Sequence, residues 1–335
     1  MVRNFIYLSI VALAAFLAGC TSEFKQEVDF KVSLSPLNTF VAGEPVRFDI
    51  EGTVDNLLFY SGEVGSRYEF RQRDTVDVSC VERAVLELSI TPVYGTVEDA
   101  ALSVWVTDSK DAVALSGTDF KADSVAIDKM YVKDGMDAWT RIDFEEEQSG
   151  KTIKLSKDIT GFSDNFSLAI HWNPTVDPKT STQKTYYIDG VIRREVRDAV
   201  AEDMSLLDLS PVGIIVSDGD ENPANDKPYL RTGSGSIGFN MTEGQWVFQG
   251  IAKNEDKTSC YDGWIITPAT ALNNVKGDQG VVIKNIQNTL PYYEYTWDEP
   301  GVYELTFVGT CSNHINHSTK VVHMVINILN KSNLN

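Results

Sequence analysis

Val46-Arg47-Phe48-Asp49-Ile50 alternates apolar and charged side chains without a break, and that rhythm decides the fold class. Successive side chains of a strand point to opposite faces, so a period of two describes a strand with one buried face and one solvated face. The same rhythm recurs on both sides of this stretch: Phe30, Val32 and Leu34 before it, then Leu86, Leu88 and Ile90, then Leu102, Val104 and Val106. The intervening positions are mostly Lys, Ser, Arg, Asp, Glu and Thr. Between the runs stand Ser35-Pro36, Ala42-Gly43, Ser61-Gly62 and Tyr94-Gly95, the residues that reverse a chain between antiparallel strands.

The pattern continues through Phe166, Leu168 and Ile170; Trp246 and Phe248; Tyr303, Leu305 and Phe307; and Val322, Met324, Ile326 and Ile328. The chain therefore reads as all-β: an N-terminal Ig-like sandwich over residues 29–122, then a larger jelly-roll or Ig-like β-sandwich region over 123–335, of one or two units. One segment departs from the rhythm. Ile192, Val196, Val200, Met204 and Leu207 recur every three or four residues and fit a surface helix within 190–208, whereas Asp189-Gly190 suits a hairpin turn. Both readings stay open at this level.

Upstream, Arg3 is followed by an apolar run from Phe5 to Leu17 that closes on Leu17-Ala18-Gly19-Cys20. The run is shorter than the roughly 20 apolar residues of a spanning helix. A positive flank, an apolar stretch and small residues before a cysteine describe an export signal over 1–19, cleaved to leave Cys20 as a lipidated N-terminus. Acyl chains at Cys20 would hold the body on a membrane, at about 0.8 kcal/mol per buried methylene. Residues 20–28 read as a polar tether.

The formal charge is −19, and removal of Arg3 with the signal takes it to −20. Such a surface repels polyanions, which excludes nucleic acid as a partner and makes charge-driven docking on anionic lipid unnecessary. Beyond Cys20 the cysteines are Cys80, Cys260 and Cys311, an odd number with no C-x-x-C spacing. Cys260–Cys311 is a conceivable pair; three buried free thiols are the expected state.

The stretch Tyr293-Glu294-Tyr295-Thr296-Trp297-Asp298-Glu299-Pro300-Gly301-Val302-Tyr303-Glu304-Leu305-Thr306-Phe307 resembles the closing half of a polycystic-kidney-disease-type Ig-like domain, an aromatic strand meeting a Pro-Gly turn. Residues 44–60, which contain the alternating run quoted at the outset, resemble the opening half of the same fold. Taken whole, the chain resembles the surface lipoproteins encoded beside starch-utilisation-system transporters of glycan-degrading Gram-negative bacteria. Glu23, three residues past Cys20, is similar to their acidic surface-export signal. The resemblance implies an outer-membrane protein facing the cell exterior, with polysaccharide or oligosaccharide as ligand and an outer-membrane transporter and its lipoprotein lid as partners.

Chemistry is sparse. Gly233-Ser234-Gly235-Ser236-Ile237-Gly238 does not match the nucleophile elbow, and no phosphate-binding loop, dinucleotide fingerprint or H-E-x-x-H occurs. His314-Ile315-Asn316-His317 with His323 is the densest histidine cluster and reads as a hairpin tip more readily than as a metal site. In the acidic loop 218–226, Asp218, Asp220, Asn222 and Asp226 offer oxygen ligands for a structural calcium, although Pro223 and Tyr229 stand where an EF-hand needs Gly and Glu. A solvated acidic turn is the alternative. Glu145-Glu146-Glu147 reads as a solvated charge run, and choosing a glycosidase pair among 48 acidic residues would be arbitrary.

Aromatic residues carry the binding expectation, because an indole face packs against the C–H face of a sugar ring. Parity places Trp246 and Trp264 inside. Trp172 ends a strand and enters the loop Asn173-Pro174-Thr175, so it fits either side. Trp105 and Trp139 fall on the polar parity of their strands, which suits an inter-domain contact or a ligand platform. The expected function is non-enzymatic glycan capture at the cell surface through Trp105, Trp139 and Trp172. An adhesion or scaffold subunit binding a protein is the alternative, and a β-sandwich glycosidase the third reading.

Overall fold

The structure is a computed structural model that describes residues 27–35, 39–95, 102–110, 112–143, 147–149, 152–218, 231–232, 238–240, 244–250, 252–312 and 317–331. Strands hold 49% of the residues and helices 9%, so the all-β expectation stands. The chain forms two units, Met1–Arg71 with Asp278–Asn335, and Gln72–Gly277. The first unit begins with β1 (Asp29–Leu34), β2 (Phe40–Val41), β3 (Pro45–Thr53) and β4 (Asn56–Tyr60).

The second unit follows with β5 (Val81–Pro92), β6 (Leu102–Thr107), the helix α1 (Phe120–Ile127) running into a π-helical turn at Asp128–Lys133, and β7 (Thr140–Ile142). It continues with β8 (Glu147–Ser149), β9 (Thr152–Asp158), β10 (Ser167–Trp172), β11 (Tyr186–Val196), β12 (Met204–Ser205) and β13 (Val212–Asp218). It ends with β14 (Arg231–Thr232), β15 (Gly238–Asn240), β16 (Gln245–Phe248) and β17 (Tyr261–Ile266). The chain then returns to the first unit for β18 (Val281–Lys284), β19 (Tyr292–Thr296), β20 (Gly301–Ser312) and β21 (His317–Leu329).

This division corrects the expected boundary at 122/123. Val46 pairs with Tyr295 across β3 and β19, and Phe59 with Phe307 across β4 and β20. The stretches 44–60 and 293–307, which chain order alone put in separate domains, therefore build one sandwich. Alternation shows which face of a strand is buried but not which strand lies beside it. The entropic cost of closing a long connection grows only slowly with its length, so a whole unit can be inserted between paired strands.

In the first unit a three-stranded sheet, β1-β3-β19, packs against a five-stranded sheet, β18-β4-β20-β21-β2. Their inner faces enclose Phe30, Phe48, Leu57, Phe59, Trp297, Leu305, Phe307, Ile326 and Ile328. The ring of Phe307 lies 5.4 Å from Phe48 and 4.9 Å from Phe59, and Trp297 donates its indole N–H to Ser61 O at 3.2 Å. Each fully buried phenylalanine contributes about 1.5–3 kcal/mol.

The second unit packs β14-β15-β16-β11-β5-β9-β8 against β13-β17-β10-β6-β7 around Leu86, Leu88, Ile90, Leu168, Ile170, Ile188 and Phe248. The five-stranded sheet is covered on its other face as well. Ile127, Met130, Met136 and Trp139 lie over Ala169, Ile214, Trp264 and Ile266, so every residue of β10 is buried. Asp119 caps α1 by accepting from Ala122 N at 3.1 Å, and the buried Asp123 carboxylate accepts from Ser116 N and Gly117 N. Neither open reading of 190–208 holds. β11 runs straight through Asp189-Gly190, pairing Gly190 with Leu88. A Cβ on Gly190 would stand 2.5 Å from Leu88 and 2.9 Å from Leu206, so the glycine serves close packing rather than a turn.

Candidate functional site

Several expected site residues lie outside the described residues: Cys20, Asp220, Asn222 and Asp226, with Glu145, Glu146, His314 and 233–237. Asp218 closes β13, its backbone in register with Tyr261. Among the described residues no three His, Cys, Asp or Glu side chains gather where they could hold a metal ion. His317 bonds Thr319 at 3.0 Å while His323 bonds Thr306 at 2.9 Å, so these two histidines have separate partners. Cys80, Cys260 and Cys311 are free thiols, of which only Cys311 is buried.

The tryptophan platform is corrected. Trp172 is 0% and Trp139 8% exposed, so neither offers a ring face to a sugar. Trp105 is half-buried, with its N–H on Ser103 Oγ at 3.1 Å and the Arg141 guanidinium 5.8 Å from its ring centre. Nor do Trp105 and Trp139 join two domains; both pack within the second unit, around the helical layer. Parity placed them off the first core correctly, but the sheet carries a second core on its other face. That layer also holds a pair which parity alone did not suggest. The buried His171 stacks on Trp264 at 3.8 Å, meets Tyr131 at 4.7 Å and shares a hydrogen bond of 2.9 Å with Asp262.

A groove of about 670 Å³ lies in the first unit, on the outer face of the five-stranded sheet. Loop 61–71 forms one wall with Arg67, Tyr68 and Glu69; the floor is Val302, Glu304 and Thr306 of β20 with His323 and Val325 of β21. A buried carboxylate helps hold the loop. Asp278, whose side chain is fully buried, accepts from Gly65 N at 3.1 Å and Arg67 N at 3.0 Å, with the Arg67 guanidinium at 3.5 Å. Gly62 brings the loop onto the sheet: its φ is +84°, and a Cβ there would lie 2.8 Å from Glu304 O. Only glycine accepts both conditions.

Tyr68 is the organising side chain of the groove. Its ring meets Tyr60 edge-on at 5.3 Å and His323 at 5.6 Å, and the Arg71 guanidinium sits 3.9 Å from its centre. These contacts hold a partly exposed phenol over hydroxyl, imidazole and carboxylate groups. Arg67 faces the buried Asp278 carboxylate, while Glu69 and Glu304 are both exposed. The lining thus combines hydrogen-bond acceptors with exposed aliphatic surface, since Val302 is 69% and Val325 63% exposed.

On the inner side of the same loop, Glu63 accepts from Ser61 Oγ at 2.8 Å and from the Tyr295 hydroxyl. Burial, followed by the bond to Glu63, pushes the Tyr295 phenol up to about 12. Sequence reasoning passed over Arg67, Tyr68, Glu69, Glu304 and Thr306, and took His323 only as a member of a histidine cluster. The available signal was parity: Val302 and Val325 fall on the solvent side of strands whose other side is core.

Residues 19–126 match the family described as Domain of unknown function (DUF5017). No curated protein and no solved structure matches the chain. The matched span begins at Gly19, beside Cys20, and runs through β1 to β6 and into α1.

Proposed function

We propose that this protein is a lipid-anchored, non-enzymatic surface protein of the outer membrane that captures glycan in the groove formed by loop 61–71 and the sheet. The observation that carries the reading is the groove itself. Its volume of about 670 Å³ falls in the usual range for ligand sites, roughly 300–1,000 Å³, and its lining is mixed. The edge of a rigid tyrosine and two exposed valines suit the C–H surface of a sugar ring. Glu69, Glu304 and His323 suit its hydroxyls. The chain's acidic balance disfavours polyanionic glycans.

Anchoring is supported by the Leu17-Ala18-Gly19-Cys20 signal and by a family match that begins where the mature chain would begin. On this reading the protein delivers glycan to an outer-membrane transporter and its lipoprotein lid. The test is electrophoresis through gels containing α- and β-glucans, mannan or xylan. Retardation by one polymer, lost in Tyr68→Ala and without release of reducing ends, is the expected result. Retention by none of them, or release of reducing ends, refutes it. Palmitate labelling that persists in Cys20→Ala refutes the anchor.

A further inference from the structure

Outside the groove, the same sheet face differs from the charged outer face of β1, β3 and β19. Val282 pairs with Leu58, Leu58 with Val308 and Val308 with Val321, so a row of four aliphatic side chains crosses the sheet from β18 to β21 on the side away from the core. One row over, Asn56, Thr310 and Thr319 present amide and hydroxyl groups; on the other side come Tyr60 and Thr306, both buried, and the exposed His323, which lines the groove. Among the described outward positions of β4, β20 and β21, Glu304 is the single formal charge. Lys284, past the bulge in β18, turns its ammonium onto Asp55 O and Asn285 O.

We propose that this face continues the groove as a track for an internal segment of a linear, uncharged polysaccharide, so that polymer rather than a short oligosaccharide is the preferred ligand. The inference rests on the reading of the groove as a glycan site. Charge narrows the occupant: a face almost without charge, on a chain of −19, favours a neutral ligand over an anionic one. Side-chain type narrows it further. The centres of protein interfaces are enriched in aromatic residues, Met and Arg, whereas this face alternates aliphatic rows with hydroxyl and amide rows. Rows on a strand recur every two residues, about 6.6–6.8 Å, so the aliphatic and the hydroxyl rows extend the surface about 13–14 Å along the strands beyond the groove, and four strands about 4.8 Å apart make it about 14 Å wide. A chain of sugar rings presents alternating C–H and hydroxyl surface to match it.

The test is a length series of the polymer found by gel retardation, from two sugar units upward, titrated calorimetrically against the whole mature protein. Affinity is expected to keep rising beyond the length that fills the groove. Val308→Asp and Val321→Asp are expected to weaken binding of the polymer about tenfold and to leave the shortest bound oligosaccharide unchanged. Should a charge at either site unfold the protein by circular dichroism, Val308→Thr and Val321→Thr replace it, with a smaller loss in the same pattern. The inference fails if affinity levels off at the groove-filling length, if the variants weaken short and long ligands alike, or if polygalacturonate binds as tightly as a neutral polymer. It also fails if the protein sediments as a dimer that these variants dissociate, because the face then covers a second copy. In each of these cases the groove still binds glycan; absence of binding by every polymer and oligosaccharide instead removes the glycan reading itself.

Discussion

The two outer faces of the first sandwich share one core and differ in almost everything else. On β1, β3 and β19 the outward positions include Asp29, Lys31, Arg47, Asp49, Glu51 and Glu294. They pair among themselves and their neighbours: Arg47 bonds Asp49 at 2.9 Å and lies 4.1 Å over the Tyr292 ring. This is an ordinary solvated face. The opposite sheet leaves its rows aliphatic or hydroxyl-bearing and carries the groove. Equal strand geometry and equal burial on the inner side thus coexist with opposite outer chemistry. The difference teaches that the fold places no demand for Val302, Val325 or Val282 on the outside, where an exposed aliphatic group contributes little to the core; on the proposed reading these groups meet ligand.

Substitutions can break this comparison in order of size. Phe48→Ala removes a ring in contact with Phe59, Trp297 and Phe307, and is expected to cost about 3–5 kcal/mol in denaturant unfolding, affecting both faces at once. Asp278→Ala leaves the sandwich core intact but orphans the amides of Gly65 and Arg67. The expected cost is about 1–3 kcal/mol, with faster amide exchange confined to loop 61–67 and loss of ligand at the groove. Unchanged exchange at those two amides would show that the carboxylate does not hold the loop.

The alkaline limit sharpens the comparison from the inner side. Tyr295 is raised to about 12, against about 10 in an unfolded chain. Its contribution is complete below about pH 10 and is lost as pH rises through 12, because the unfolded chain releases that proton first. Tyr293 and Tyr303 are also raised, chiefly by burial, and act in the same direction. Tyr295→Phe is expected to flatten the fall in stability between pH 10 and 12, measured by denaturant midpoint. The smallest effect belongs to the charged face: Arg47→Ala should change stability by no more than about 0.5 kcal/mol and leave ligand binding untouched. A binding loss in that variant would move the site to the other sheet.

Much of the fold was legible. Alternation at Val46–Ile50, Leu86–Ile90 and Phe166–Ile170 correctly announced strands, and parity placed Trp246 and Trp264 inside. Parity misled at Trp139, whose polar side turned out to face a helical layer. The run Ser167–Trp172 held the warning, since its off-parity residues Ser167, Ala169 and His171 are small or able to pair and carry no standing charge. A strand buried on both faces reads in this way. The candidate site was hardly legible at all. Tyr68, Asp278 and His323 are scattered over more than two hundred residues, and none belongs to a motif.

By itself the sequence determined most of the strands, one buried side of each, and the acidic net charge, because each depends on neighbouring residues or on total charge. Only the tertiary structure decided that 44–60 closes against 293–307, that a whole unit is inserted between them, and that Asp278 returns to pin loop 61–67 beside the groove. Side-chain direction along a strand is local, with a period of two residues. The choice of partner strand is made by the complementarity of distant surfaces, at an entropic cost that hardly registers how much chain lies between them.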